Sequence, residues 1–186
     1  MDYEYYYNNA RNRYYNACSE INSCENTINS LKSQKQQTIN NINRLSAEIS
    51  NHQEALTQVN ALLRKENDLL DKCNSITAAV STGAANFFAM VQSTDTATKN
   101  LSDVYGTKNV AKVNSTFVEI NNKKTELSNK IQNLQSEKRN AENQLSQIEA
   151  SIRNTNNDLD YWRSQKSSAS MDMDYYRRKM NEEENE

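Results

Sequence analysis

Apolar side chains return at alternating steps of three and four residues through the first part of the chain, beginning at position 21. They are Ile21, Cys24, Ile28, Leu31, Ile42, Leu45, Ile49, Leu56, Val59, Leu63, Leu70 and Cys73. This is the heptad spacing of a coiled coil, with the apolar residues at positions a and d, and no β-strand has that period. A stripe only two residues in seven wide buries little surface on a lone helix, so the segment must pack against a second helix.

A second heptad segment begins at Val110 and runs almost to the end of the chain. The a and d residues of both segments are called the seam below. The two segments could pair as one hairpin or as partners in an oligomer, and we expect the hairpin. The predicted fold is therefore all-α: a long antiparallel coiled-coil hairpin with a short irregular or helical tip, forming a single elongated domain over residues 1–186. The first arm is expected at 3–80, the tip at 81–106 and the second arm at 107–182.

The charged seam residues Glu66 and Lys124 suggest how the two arms align, because residue a of one antiparallel helix faces residue d of the other. A register that places these two opposite each other avoids an uncompensated buried charge, which would cost several kcal/mol. The neighbouring register, one heptad away, would place Glu66 opposite Phe117. We therefore predict the first register, which pairs Ile42 with Ile148, Leu45 with Leu145, Leu56 with Leu134, and Leu63 with Leu127.

Composition agrees with long paired helices and excludes several other classes of protein. Only 35% of residues are hydrophobic, the mean hydropathy is −0.99, and the chain has no proline and two glycines. The net charge of −2, with both signs mixed along the sequence, argues against nucleic acid as a partner. Neither a membrane span nor a Sec signal peptide is predicted, so we expect a cytoplasmic protein, or one secreted by another route.

Residues that carry chemistry are few. The three cysteines, Cys18, Cys24 and Cys73, are widely spaced, and His52 is the only histidine. These suit neither a disulfide framework nor a metal site, and Cys24, Cys73 and His52 fall on the seam. No glycine-rich phosphate loop or nucleophile motif is present. We predict no enzyme activity, no cofactor and no metal.

Two apolar features exceed what a two-helix seam needs, and both are candidates for binding a partner. The first is the most apolar run of the chain, which contains Phe87, Phe88, Met90 and Val91 near the tip and would either fold back on the arms or stay open to a partner. The second is a stripe of residues seven apart beside the seam, formed by Ala55, Leu62, Leu69 and Ile76. Residues at this flanking position are where a third helix would pack.

Tyrosines are concentrated where the two ends of the chain would meet. They include Tyr3, Tyr5, Tyr6, Tyr7, Tyr14 and Tyr15 near the start, and Tyr161, Tyr175 and Tyr176 near the end. In the predicted register Tyr14 faces Tyr176. The cluster either holds together helix ends that would otherwise fray or forms a docking surface, and the first interpretation is favoured.

An aromatic residue next to a glycine, Tyr105-Gly106, precedes the second arm and is followed by Val110, Val113 and Phe117. In layout and in these residues the chain resembles the WXG (Esx-like) helical hairpins of type VII secretion in Gram-positive bacteria. It resembles in particular the small partner proteins of LXG toxins. The family has Trp-X-Gly, whereas here tyrosine replaces tryptophan and adjoins the glycine. The family's tail signal, a tyrosine followed four residues later by an acid, is absent.

The resemblance implies a helical protein as the partner, such as the N-terminal region of an LXG-like toxin, packed with this chain in a helical bundle. Tyr105 and Gly106 would then belong to the binding region. The expected function is a carrier, targeting factor or chaperone for a type VII secreted effector. The alternative is a structural coiled-coil spacer in a phage or cell-surface assembly, in which copies of the chain would form a homo-oligomer.

Overall fold

A computed structural model describes residues 2–91 and 108–183 of the chain. They form three helices: α1 (Tyr3–Leu63), α2 (Glu66–Val91) and α3 (Lys108–Glu183). No strand occurs within these residues, and α1 and α2 pack against α3. The prediction of an all-α helical hairpin is confirmed. The second arm was expected from residue 107, close to the observed start of α3.

The first helix begins with a cap that the sequence analysis did not identify. The Tyr5 backbone N–H donates a hydrogen bond of 2.9 Å to the Asp2 carboxylate oxygen Oδ1. An aspartate at this position satisfies one of the backbone donors left free in the first turn and adds a negative charge where the helix dipole favours it. Asp2 therefore defines where α1 starts.

The first arm, predicted as one continuous helix, is interrupted at Arg64 and Lys65. There the Lys65 N–H donates to the Leu62 carbonyl oxygen at 3.0 Å, an i to i−3 bond that tightens the turn. Neither glycine nor proline causes this interruption. The seam residues on both sides, Leu63 and Glu66, are half-buried, so the heptad phase continues across the turn.

The described helices divide into two compact units, each with segments from both arms. The first unit combines Met1–Arg44 with Lys138–Glu186, and the second is Leu45–Glu137. Every hydrophobic residue that the structure describes as buried lies at a seam position. In the first unit these are Ala10, Ala17, Ile28, Ala141, Leu159 and Ala169; in the second they are Leu45, Ile49, Phe117, Ile131 and Leu134. The prediction that the seam forms the core is confirmed in both units.

The predicted register is wrong by one heptad. In the second unit Leu134 packs with Leu45 and Ile49 in one buried cluster, whereas the prediction placed it opposite Leu56. Glu66 and Lys124 were expected to pair, but no ion pair joins them within residues 2–91 and 108–183. With Leu134 beside Ile49, the heptad places Glu66 opposite Phe117, the arrangement that the sequence analysis had rejected.

The first unit shows the same register. Tyr176 stacks on Tyr6 rather than Tyr14, with ring centroids 5.4 Å apart, and Lys166 lies 5.4 Å from the centre of the Tyr14 ring. In this register the small, fully buried Ala169 lies opposite the Tyr14 ring and leaves room for it. Tyr176 comes opposite Tyr7, nearer the chain ends, instead of opposite Tyr14.

The predicted register assumed a high free-energy cost for a charged residue in the seam, and Lys35 shows how a seam residue avoids that cost. Its ammonium Nζ reaches out of the seam to the Glu149 carboxylate at 2.8 Å, and both side chains are about 40% exposed. The aliphatic stem can thus cover the seam while the charge stays at its edge. A lysine at position a is therefore compatible with an apolar neighbour, and avoiding that contact did not determine the register.

This ion pair predicts a pH-dependent contribution to stability. The hydrogen bond from Lys35, and then its charge, lower the pKa of Glu149. A lowered folded-state pKa gives stability that is complete above the unfolded-state pKa of about 4.3 and is lost as the pH falls through the folded value. We expect Glu149→Gln to be less stable than the unchanged protein at pH 7 and equally stable near pH 2. Urea unfolding at the two pH values measures this, and a difference that persists at pH 2 would contradict it.

Candidate binding groove

The predicted stripe beside the seam is accessible to a partner. Leu62, Leu69 and Ile76 are 52%, 46% and 61% exposed, and Ala55 is half-buried. All four occupy heptad position g, which the seam between two helices does not bury. Each exposed large apolar residue is unremarkable alone, but three at seven-residue spacing form a continuous apolar line on one face of the second unit.

Leu62 and Leu69 form one wall of a groove of about 400 Å³. The opposite wall belongs to α3 and consists of Val113, Phe117 and Ile120. The turn between α1 and α2 belongs to the same wall as Leu62 and Leu69, since Lys65 in this turn also lines the groove. We call this the apolar groove. Its position at the interruption of the first arm places Leu62 at the end of one helix and Leu69 near the start of the next.

A second, more polar section adjoins the apolar groove and shares Leu62, Thr116 and Ile120 with it. This section has a volume of about 530 Å³ and is lined on the α3 side by Glu119, Lys123 and Glu126. The Lys123 ammonium and the Glu126 carboxylate form an ion pair of 2.6 Å one turn apart on α3. The two sections together give an apolar floor with charged residues at its rim, as a protein-binding surface has.

The ionisable groups that line the two sections of the groove are lysines and glutamates at its rim, rather than a convergent set around one point. Within the described part of the chain, no group of three His, Cys, Asp or Glu side chains could hold a metal ion. What the groove can do is exclude water from the apolar face of another molecule.

The other predicted partner-binding residues lie mostly beyond what can be described. Phe87, Phe88, Met90 and Val91 are in the last turns of α2, which extends the helix eleven residues beyond the predicted end of the arm at 80. Their side chains lie outside the described part of the structure. Tyr105 and Gly106 also fall outside the described residues. Of the residues that follow this pair, Val110 and Val113 are half-buried and Phe117 is buried in the seam of the second unit.

In the first unit, tyrosines from α1 and α3 form a ladder of four rings. The order is Tyr5, Tyr6, Tyr176, Tyr175, with centroid separations of 5.5, 5.4 and 5.2 Å. The central pair is stacked and each outer ring meets its neighbour edge to face. Such contacts contribute about 0.5–1.5 kcal/mol each beyond the area they bury. The ladder supports the interpretation that the tyrosines hold the helix ends together.

The two outer pairs of the ladder are tyrosine doublets in the sequence, a signal that could have predicted these contacts. In Tyr5-Tyr6 and Tyr175-Tyr176, one ring contacts the facing helix while the adjacent one packs on its edge. Tyr14-Tyr15 and Tyr161-Trp162 repeat the edge contact, with centroids 5.8 and 5.1 Å apart. An aromatic doublet with one member near the seam therefore predicts a ring that is exposed but still held in place.

The three cysteines are free and half-buried. Desolvation raises the pKa of the Cys24 thiol, and the carboxylates of Asp158 and Glu20 raise it further. A raised pKa lowers the fraction of reactive thiolate at neutral pH, so Cys24 is poorly suited to act as a nucleophile.

Comparison of the chain with protein-family models, with curated proteins and with solved structures found no match in any of the three. Among the described helices, none is both long enough and apolar enough to cross a membrane. The binding groove and its chemistry are therefore the basis for a functional proposal.

Proposed function

We propose that this protein is a non-enzymatic helical hairpin that binds another helical protein through the apolar groove. It would serve as a carrier, targeting factor or chaperone for a type VII secreted, LXG-like effector. The observation that carries the binding role is the line of Leu62, Leu69 and Ile76, each about half exposed beside a seam that is already complete without them. The type VII assignment comes from the resemblance of the chain's layout to WXG-type hairpins.

The groove geometry supports a helix as the bound element. Apolar residues seven apart repeat every two helical turns, or about 10.5 Å. The apolar residues of a partner helix with heptad spacing repeat at the same distance. The walls contributed by Val113 and Phe117 would contact the same partner helix from the α3 side. A third helix in this place would complete a small bundle around the second unit.

The experiment that tests the function is co-expression with the N-terminal helical region of an LXG-type toxin from the same genome. We expect the two chains to co-elute in size-exclusion chromatography as a complex of defined mass. Elution of the two chains as separate species would contradict the proposed function. A complex formed only between copies of this chain would instead support the structural spacer.

Substitutions in the groove should weaken that complex without unfolding the protein. Leu62→Lys combined with Leu69→Lys places two charges on the apolar wall, so we expect the affinity to fall by about tenfold or more. Val118→Lys combined with Thr125→Lys is the matched control, because both residues are exposed on α3, neither lines the groove, and together they add the same charge. Titration calorimetry measures the affinities, and circular dichroism checks that all variants remain helical. Equal affinities of the groove and control variants would contradict this use of the groove.

A further inference from the structure

The charges around the apolar groove select what kind of helix it can hold. Lys65 lines the groove from the turn between α1 and α2, and Lys112 lines it from α3. Neither lysine forms an ion pair with any residue that the structure describes. The acidic residue Glu119 lines the adjoining section instead, and Lys123 there is neutralised by Glu126. The apolar groove therefore has an unneutralised basic rim.

The two rim lysines occupy heptad position c, which adjoins the g positions of the apolar stripe on the helix surface. The whole chain has a net charge of −2, so the positive charge of the rim is opposite in sign to the net charge of the protein. Apolar stripe and unpaired lysines thus coincide on one face.

We propose that the apolar groove binds an amphipathic helix whose apolar stripe is flanked by acidic residues. This inference rests on the proposed function and specifies the chemistry of its partner. Glutamates or aspartates beside the stripe would lie near the Lys65 and Lys112 ammonium groups, which gives both attraction and orientation. Ile76 lies fourteen positions after Leu62, or about 21 Å along a helix, so a matching helix has about four turns.

A second copy of this chain is a poorer occupant of the groove. Two copies meeting groove to groove with their two-fold axis at the apolar groove would bring Lys65 and Lys112 of one copy near the same lysines of the other, and like charges across an interface oppose association. The rim charges therefore favour a different chain, one with acidic flanks.

The test uses two synthetic peptides of about 22 residues, long enough to cover the stripe. Both are alanine-based with three leucines seven residues apart. One has glutamates three and four residues from each leucine, so that its charges flank the leucine stripe, and the other has lysines at those positions. Fluorescence anisotropy of labelled peptides measures binding to the full chain. We expect the glutamate peptide to bind about tenfold more tightly than the lysine peptide in low salt, even though the protein is acidic overall.

The charge-reversal variant Lys65→Glu with Lys112→Glu should reverse this preference. Lys32→Glu with Arg139→Glu is the matched control, since both residues are exposed in the first unit and the net charge changes equally. Equal binding of both peptides, or an equal effect of both double variants, would overturn the inference. Binding of neither peptide would overturn it too. Whether the chain has a helical partner at all is decided separately by the toxin co-elution experiment.

Discussion

Replacing Leu134 by alanine is expected to lower the free energy of unfolding by about 3 kcal/mol. The side chain is 2% exposed and packs with Leu45 and Ile49 in the most buried cluster of the second unit. Truncation removes its contacts and leaves a cavity, because the two partners are anchored on a long helix and can close the gap only partly. Urea unfolding followed by circular dichroism measures the change.

Val118→Ala is the control for this substitution. It removes apolar atoms from the same helix at an exposed position, so we expect a change within about 0.5 kcal/mol. If Leu134→Ala lowered the free energy of unfolding no more than this control does, Leu134 would not belong to a packed core. The assignment of the seam as the core of the second unit would then be contradicted.

Replacing Ala169 by leucine is expected to destabilise the protein by about 2 kcal/mol, although leucine is the preferred residue at heptad position d. Ala169 is fully buried, and the observed register places it opposite Tyr14. A larger side chain there must displace the tyrosine ring, which Lys166 also contacts. The predicted register would have placed Tyr176 opposite Tyr14 instead.

Ser164→Leu is the matched control, because Ser164 is exposed on the outer face of α3 in the same unit. We expect this change to leave the urea midpoint nearly unaltered. Stabilisation by Ala169→Leu, with the control neutral, would indicate free space at that position and would count against the observed register.

The period of the sequence was enough to predict the helices and their buried face. Heptad spacing restricts burial to two positions in seven, and every buried hydrophobic residue in the described part of the chain, from Ala10 to Ala169, occupies one of them. Period alone cannot align two arms, because sliding by one heptad keeps every a opposite a d. Alignment depends on side-chain size and on how far a lysine such as Lys35 can extend, and these act between residues that are distant in sequence.

The candidate site was predicted in part. The stripe of Leu62, Leu69 and Ile76 was evident as a surplus of apolar residues beside the seam. Its opposite wall could not be identified, since Val113 and Phe117 face the groove only because of the register adopted. The interruption at Lys65 also has no glycine or proline to signal it, and it supplies one of the two lysines at the rim.

Disulfide trapping tests the central claim, that the two arms of one chain pair in the observed register. In a background lacking the three native cysteines, the pair Ile49→Cys with Leu134→Cys is compared with Leu56→Cys with Leu134→Cys. Leu56 lies seven residues further along α1, about 10.5 Å, which exceeds the reach of a disulfide from the same partner. We expect only the first pair to oxidise, giving a cross-link within a single chain by mass spectrometry. Oxidation of the second pair instead, or a cross-link between two chains, would contradict the account.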